Sequence, residues 1–199
     1  NEVWNSIFDG FHWLAAQARA KFPNDNNNRM YGYLAAHHMK TIRDTYGVAN
    51  RSRWKGIVAT HSINTSVTTE IIAGINQYLS ENAPLVMTDL FDYLAVVGYW
   101  GGNLDEPYTA ISQAWLDDSI TRFNAALEPT KYTYFDRKLN ADLYNGVETS
   151  IPYSMISGQA YWVAQKVIAD ANGLGLIQYE AGNSNALADG NLQGIAEWR

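Results

Sequence analysis

The sequence predicts an α/β fold built on parallel strands, and three observations lead there. Short apolar runs lie near 54–60, 93–99 and 174–180, each bounded by polar residues or glycine. The longer stretches between them carry apolar residues at helical spacing. The short runs are apolar throughout rather than alternating, as expected of strands covered on both faces. Strands that alternate with helices in this way form parallel βαβ units.

Taken in order, the chain opens on a helix from Trp4 to Phe22, with Ile7, Phe8, Phe11, Leu14, Ala15 and Ala18 at helical spacing. Pro23 and the run Asn24-Asp25-Asn26-Asn27-Asn28 stop it. A second helix is expected from Arg29 to Tyr46, with Met30, Tyr33, Leu34, His37, Ile42 and Tyr46 on or near one stripe and Gly47 as its end. Trp54-Lys55-Gly56-Ile57-Val58-Ala59-Thr60 reads as the first strand. Val67 to Asn82 returns to helix through Ile71, Ile72, Ile75 and Leu79. Tyr93 to Tyr99 is the second strand, closed by Trp100-Gly101-Gly102. The polar and helical stretch at 107–150 is too long for a simple connection and reads as an insertion. Ile151 to Asn172 is a helix carrying Met155, Trp162, Val163, Val167 and Ile168; Gly173 caps it, and Leu174 to Glu180 is the third strand.

A length of 199 residues suits a single domain over 1–199, or a large piece of one. With 47% apolar and 17% charged residues the chain can bury a core. The net charge of −6 is spread without long runs, which argues against a nucleic-acid partner. No stretch has the ~18 apolar residues that a membrane helix needs. There is no cysteine, so disulfides and thiol chemistry are excluded. The chain begins without Met on residues that read as internal, so a fragment or processed piece is expected. Seven Trp and thirteen Tyr suit sugar sites, where a flat ring matches the C–H face of a pyranose; they are equally ordinary core material.

Two parallel architectures compete. A doubly wound sheet favours a glycine-rich phosphate turn after a strand, and none of the three strands leads into one. Instead His61, Tyr99-Trp100 and Glu180 stand at strand C-termini, where barrel enzymes put their chemistry. The expected fold is therefore part of a TIM (β/α)8 barrel, about half of one, with a further strand ending just before Asn1.

Several short stretches carry a resemblance. Asn1-Glu2 resembles the pair at the end of the fourth strand in retaining glycoside hydrolases of clan A, and Tyr179-Glu180 resembles that clan's seventh-strand end. Asn1-Glu2-Val3-Trp4-Asn5, Arg29-Met30-Tyr31-Gly32-Tyr33, Val96-Val97-Gly98-Tyr99-Trp100-Gly101 and Tyr179-Glu180-Ala181-Gly182 look like a bacterial branch described as glycosidase-like or cellulose-binding-domain-containing. The resemblance implies a chain running from the end of strand four to just past strand seven. It implies Glu2 as general acid/base, Glu180 as nucleophile, Asn1 on the sugar 2-hydroxyl and Tyr99 holding Glu180. Trp4, Trp100 and His61 are candidate substrate contacts. It also implies a carbohydrate partner, no cofactor and an extracellular or periplasmic setting; with no H-E-x-x-H and no cysteine in the chain, no metal site is expected either. Val3 departs from the proline common at that position, and the clan's arginine, early histidine and last tryptophan have no counterpart here.

The chemistry asks for these residue types. An oxocarbenium-like transition state needs an acid at the leaving oxygen and a carboxylate on the other face. Plainer readings stand beside each residue. Glu2 also suits the first turn of a helix. Tyr99 and Trp100 also suit packing, and His61 also suits a strand-end cap. Glu180 is expected to end a buried strand, where a carboxylate is costly unless solvated or paired. The adjacent His37 and His38 point about 100° apart on a helix and make no chelate. Neither Asp25 to Asn28 nor Asp189-Gly190-Asn191 completes a calcium loop. The leading expectation is a retaining glycoside hydrolase; the other is a sugar-binding or scaffolding barrel without turnover.

Overall fold

A computed structural model describes residues 9–22, 26–100, 108–145 and 154–183. The chain divides into two compact units, the first made of Asn1–Val97 with Tyr161–Glu180, the second of Gly98–Ala160 with Ala181–Arg199.

The elements run α1 (Asp9–Lys21), α2 (Asn27–Tyr46), a 3-10 turn (Val48–Arg53), β1 (Ile57–Ala59), α3 (Thr65–Glu81), α4 (Met87–Leu90), β2 (Tyr93–Trp100), α5 (Tyr108–Asn124), α6 (Thr133–Asn145), α7 (Met155–Ala171) and β3 (Gly175–Asn183). The described strands form one parallel sheet in the order β1-β2-β3. Its register sets Ile57, Val58 and Ala59 beside Tyr93, Leu94 and Ala95. The α/β class with parallel strands is therefore present. In β2 Leu94, Ala95 and Val96 are buried in succession, so that strand is covered on both faces, whereas in β1 Val58 is buried and Ile57 exposed.

The first unit packs its core around α3 and the sheet. Ile71, Ile75, Leu90 and Phe91 join Val58 and Leu94 there. A second cluster of Leu14, Ala18, Phe22 and Met30 fixes α1 against α2. The contact of α2 with α3 uses part of the expected stripe, Tyr33 and His37 packing edge-on against Tyr78, and adds small residues to it. Met30, Gly32 and Ala36 are the buried residues of α2, whereas His37 and Tyr46 are exposed. The reason is distance. A Cβ on Gly32 would lie 1.9 Å from the Ile71 carbonyl oxygen, and one on Gly74 would lie 1.9 Å from that of Arg29. The two backbones touch, and only small residues fit between them.

Both ends of the sheet differ from expectation in detail. β1 begins at Ile57, not Trp54; before it the Gly56 carbonyl accepts the Asp92 and Tyr93 N–H groups, and side chains hold the rest. The Arg51 guanidinium stacks 4.0 Å from the Trp54 ring centroid, and Asp92 accepts the Gly56 N–H at 2.8 Å. β3 runs past Glu180 to Asn183. Between α7 and β3, Gly173 adopts φ +70°, and the Leu174 N–H closes back on the Ala169 carbonyl at 2.9 Å. That left-handed residue is the glycine cap the sequence predicts.

In the second unit the stretch after Tyr108 is a helical hairpin of α5 and α6. Trp115, Leu116, Phe135 and Leu139 are buried in it, and the buried Ser119 hydroxyl accepts the Phe135 N–H at 3.2 Å. Glu128, its side chain only 6% exposed, pairs with Arg122 and Arg137 across the turn.

Candidate functional site at the strand tips

The C-terminal end of β1 carries a buried polar network. Thr60, Thr68 and Gln165 are completely inaccessible to solvent. Buried polar groups are costly unless hydrogen-bonded, and here each is. The Thr68 hydroxyl donates to Gln165 Oε1 at 2.8 Å. Its single proton is thereby used, so in the 2.8 Å contact with Thr60 the Thr60 hydroxyl is the donor. The Gln165 amide nitrogen donates to the carbonyls of His61 at 2.9 Å and Ser62 at 3.1 Å. The Ser62 hydroxyl donates to the Val97 carbonyl at 2.7 Å. Gln165, on α7, thus carries the turn that follows β1 and fixes it to α3 through Thr68.

His61 stands on this turn, half-buried. Its Nδ1 lies 3.2 Å from the backbone N–H of Ile63 and 3.2 Å from that of Asn64, and accepts from both. A nitrogen that accepts carries no proton, so the ring hydrogen sits on Nε2. Asn64 then caps α3, accepting the Ser66 N–H at 3.0 Å. His61 is therefore both a strand-end residue and an oriented donor.

The remaining candidates are placed as follows. Glu180 is exposed, within the exposed stretch 178–181 of β3. Water therefore solvates the carboxylate, and the cost of burying a charge does not arise; the strand also continues beyond it. Tyr99 and Trp100 are the last two residues of β2, and their side chains lie outside the described residues. Asn1, Glu2 and Trp4 lie outside them too, as do Asp25 and Asp189-Gly190-Asn191. Among the described residues no three His, Asp or Glu gather to hold a metal ion, and no helix is long and apolar enough to cross a membrane.

One neighbour of the site bears on the architecture. The Thr60 N–H pairs with the Ala95 carbonyl at 2.9 Å, so the Ala59 N–H faces away from β2. There it donates to the Tyr31 phenol of α2. Burial pushes that phenol above the ordinary tyrosine range, and the Ala59 bond opposes the push without cancelling it.

Sequence reading missed Gln165. Its signal was a polar residue three and four positions from Trp162, Ile168 and Ala169, on the helix's apolar side. No protein-family model, curated protein or solved structure matches this chain.

Proposed function

We propose that this chain forms the second half of a (β/α)8 barrel that hydrolyses glycosidic bonds with retention, acting on a poly- or oligosaccharide. The observation that supports it most is the parallel sheet whose strands run toward His61 after β1 and toward Glu180 in β3. Barrel enzymes build their sites at that end of the strands. Glu180 is the proposed nucleophile, Glu2 the acid/base, and Asn1, Trp4, His61, Tyr99 and Trp100 the sugar contacts. The barrel needs one more strand along the outer edge of β1. In that arrangement Tyr31 gives up the Ala59 N–H to the strand that ends at Asn1-Glu2.

The mechanism follows from two carboxyls. Protonated Glu2 donates to the leaving oxygen while Glu180 attacks the anomeric carbon, forming a glycosyl ester. Glu2, now ionised, takes a proton from water as it releases the sugar. The test is hydrolysis of aryl glycosides and soluble oligosaccharides by the wild type, Glu180→Gln and Glu2→Gln. Loss of at least about a thousandfold in each variant is expected. Equal rates in wild type and variants would dismiss the catalytic pair.

A second reading, sugar binding without turnover, is favoured by the exposure of Glu180. Catalytic carboxyls are commonly tuned by partial burial. In that case saccharides bind the wild type and Glu180→Gln alike, and neither cleaves them.

A further inference from the structure

We infer that Gln165 is the positioning residue of the strand-tip site, holding His61 as a fixed Nε2–H donor for a hydroxyl of a bound sugar. The sugar in this statement rests on the reading above; the positioning rests on geometry alone.

Three features carry it. First, both amide protons of Gln165 go to consecutive carbonyls, those of His61 and Ser62, so the amide grips the turn at two points. Second, its oxygen is anchored by Thr68, which Thr60 backs in turn, so the side chain cannot rotate without leaving a buried group unpaired. Third, the turn so fixed aims the Ile63 and Asn64 N–H groups at Nδ1 of the same histidine. Two donors on one ring nitrogen select a single tautomer and a single ring plane.

The consequence is chemical. With Nδ1 occupied, only the Nε2–H edge can meet a ligand, and it meets it as a donor. A sugar hydroxyl or ring oxygen accepts such a bond. The residue acts as a recognition group, with no base lone pair to offer and no nitrogen open to a metal while the turn is intact. Ser62, tied to Val97 at the adjacent strand, keeps the turn from swinging outward.

The test compares the wild type with Gln165→Met, Thr68→Val and His61→Phe, all in the full chain. Gln165→Met removes the grip with little change in length. Thr68→Val keeps the volume and removes only the anchor, so it remains informative if the first variant folds poorly. Affinities for cellotetraose, xylotetraose, mannotetraose and maltotetraose are read by calorimetry, and the imidazole nitrogens of His61 by NMR. The wild type is expected to show an unprotonated Nδ1 and a protonated Nε2. Gln165→Met and Thr68→Val are expected to mix the tautomers and to weaken the best saccharide about tenfold, as His61→Phe does. Unchanged affinity and an unchanged tautomer in both network variants overturn the positioning role while leaving the sugar reading in place. Failure of every saccharide to bind the wild type overturns the sugar reading, and the donor role with it. A tautomer that responds while sugar affinity does not also overturns the proposal, because His61 is then fixed for another purpose.

Discussion

The two ends of the sheet in the first unit are held by opposite kinds of chemistry. At the base, where the strands begin, Asp92 draws in Arg51 at 2.8 Å, Lys55 at 3.3 Å and the Gly56 N–H at 2.8 Å. Asp92, Arg51 and Lys55 are charged and reach solvent: the Asp92 side chain is 20% exposed and that of Lys55 57%. At the tip, Thr60, Thr68 and Gln165 are neutral and fully buried. A charged clamp near water tolerates loss of one arm, because solvent replaces it. A sealed neutral network does not, because nothing replaces a missing partner. The base therefore contributes graded stability, and the tip contributes a definite conformation, which is what a recognition site requires.

The largest effect should come from opening the tip. Gln165→Met leaves the buried Thr68 hydroxyl and two partly buried carbonyls without their partner, and should lower unfolding free energy in urea by about 2–3 kcal/mol. A cost under about 1 kcal/mol would show that water enters the network and that the contrast with the base is unfounded.

The base should yield less. Asp92→Asn keeps the shape but removes the charge shared by Arg51 and Lys55, for a cost of about 1–2 kcal/mol. The same residue sets a pH dependence. Burial alone would raise the Asp92 carboxyl; the Arg51, Gly56 and Lys55 bonds outweigh it and hold the group below the ordinary aspartate range. Its contribution is thus complete above the value for an unfolded aspartate and disappears as pH falls through the lower folded value. Wild-type stability should drop over that acid range, and Asp92→Asn should flatten that part of the curve. An unaltered acid limb in the variant would assign the pH dependence elsewhere. The smallest effect belongs to Lys55→Met, about 0.5 kcal/mol or less and reduced further by salt, since an exposed ammonium adds little to a carboxylate already bound by arginine.

Much of the framework could be read from periodicity alone. The expected helix from Val67 to Asn82 is α3, Thr65–Glu81, and the expected strand from Tyr93 to Tyr99 is β2, Tyr93–Trp100. These segments are long or uniformly apolar, so their local pattern agrees with their tertiary setting. What periodicity hides is contact between distant residues. Gly32 and Gly74 look like weak points in helices until their backbones are found touching, with Tyr33 and His37 of α2 packed edge-on against Tyr78 of α3 beside that contact. Gln165 binds a turn 104 residues away, a separation that no local pattern encodes. Of the site, His61 was visible as a polar residue past a strand, but its tautomer was not, because Ile63 and Asn64 set it through their backbones. Glu180 stands out in the sequence as a charge at the end of an apolar run, but the run is exposed over 178–181, so its setting is solvated rather than buried.

The central claim is that the neutral network fixes His61 with its proton on Nε2. Neutron diffraction from deuterium-exchanged crystals of the full chain, grown near about pH 8 where histidine is ordinarily neutral, observes that atom directly. Deuterium on Nε2, with the Ile63 and Asn64 N–D bonds directed at a bare Nδ1, is the predicted result. Deuterium on Nδ1, or a ring turned away from those two amides, contradicts the account.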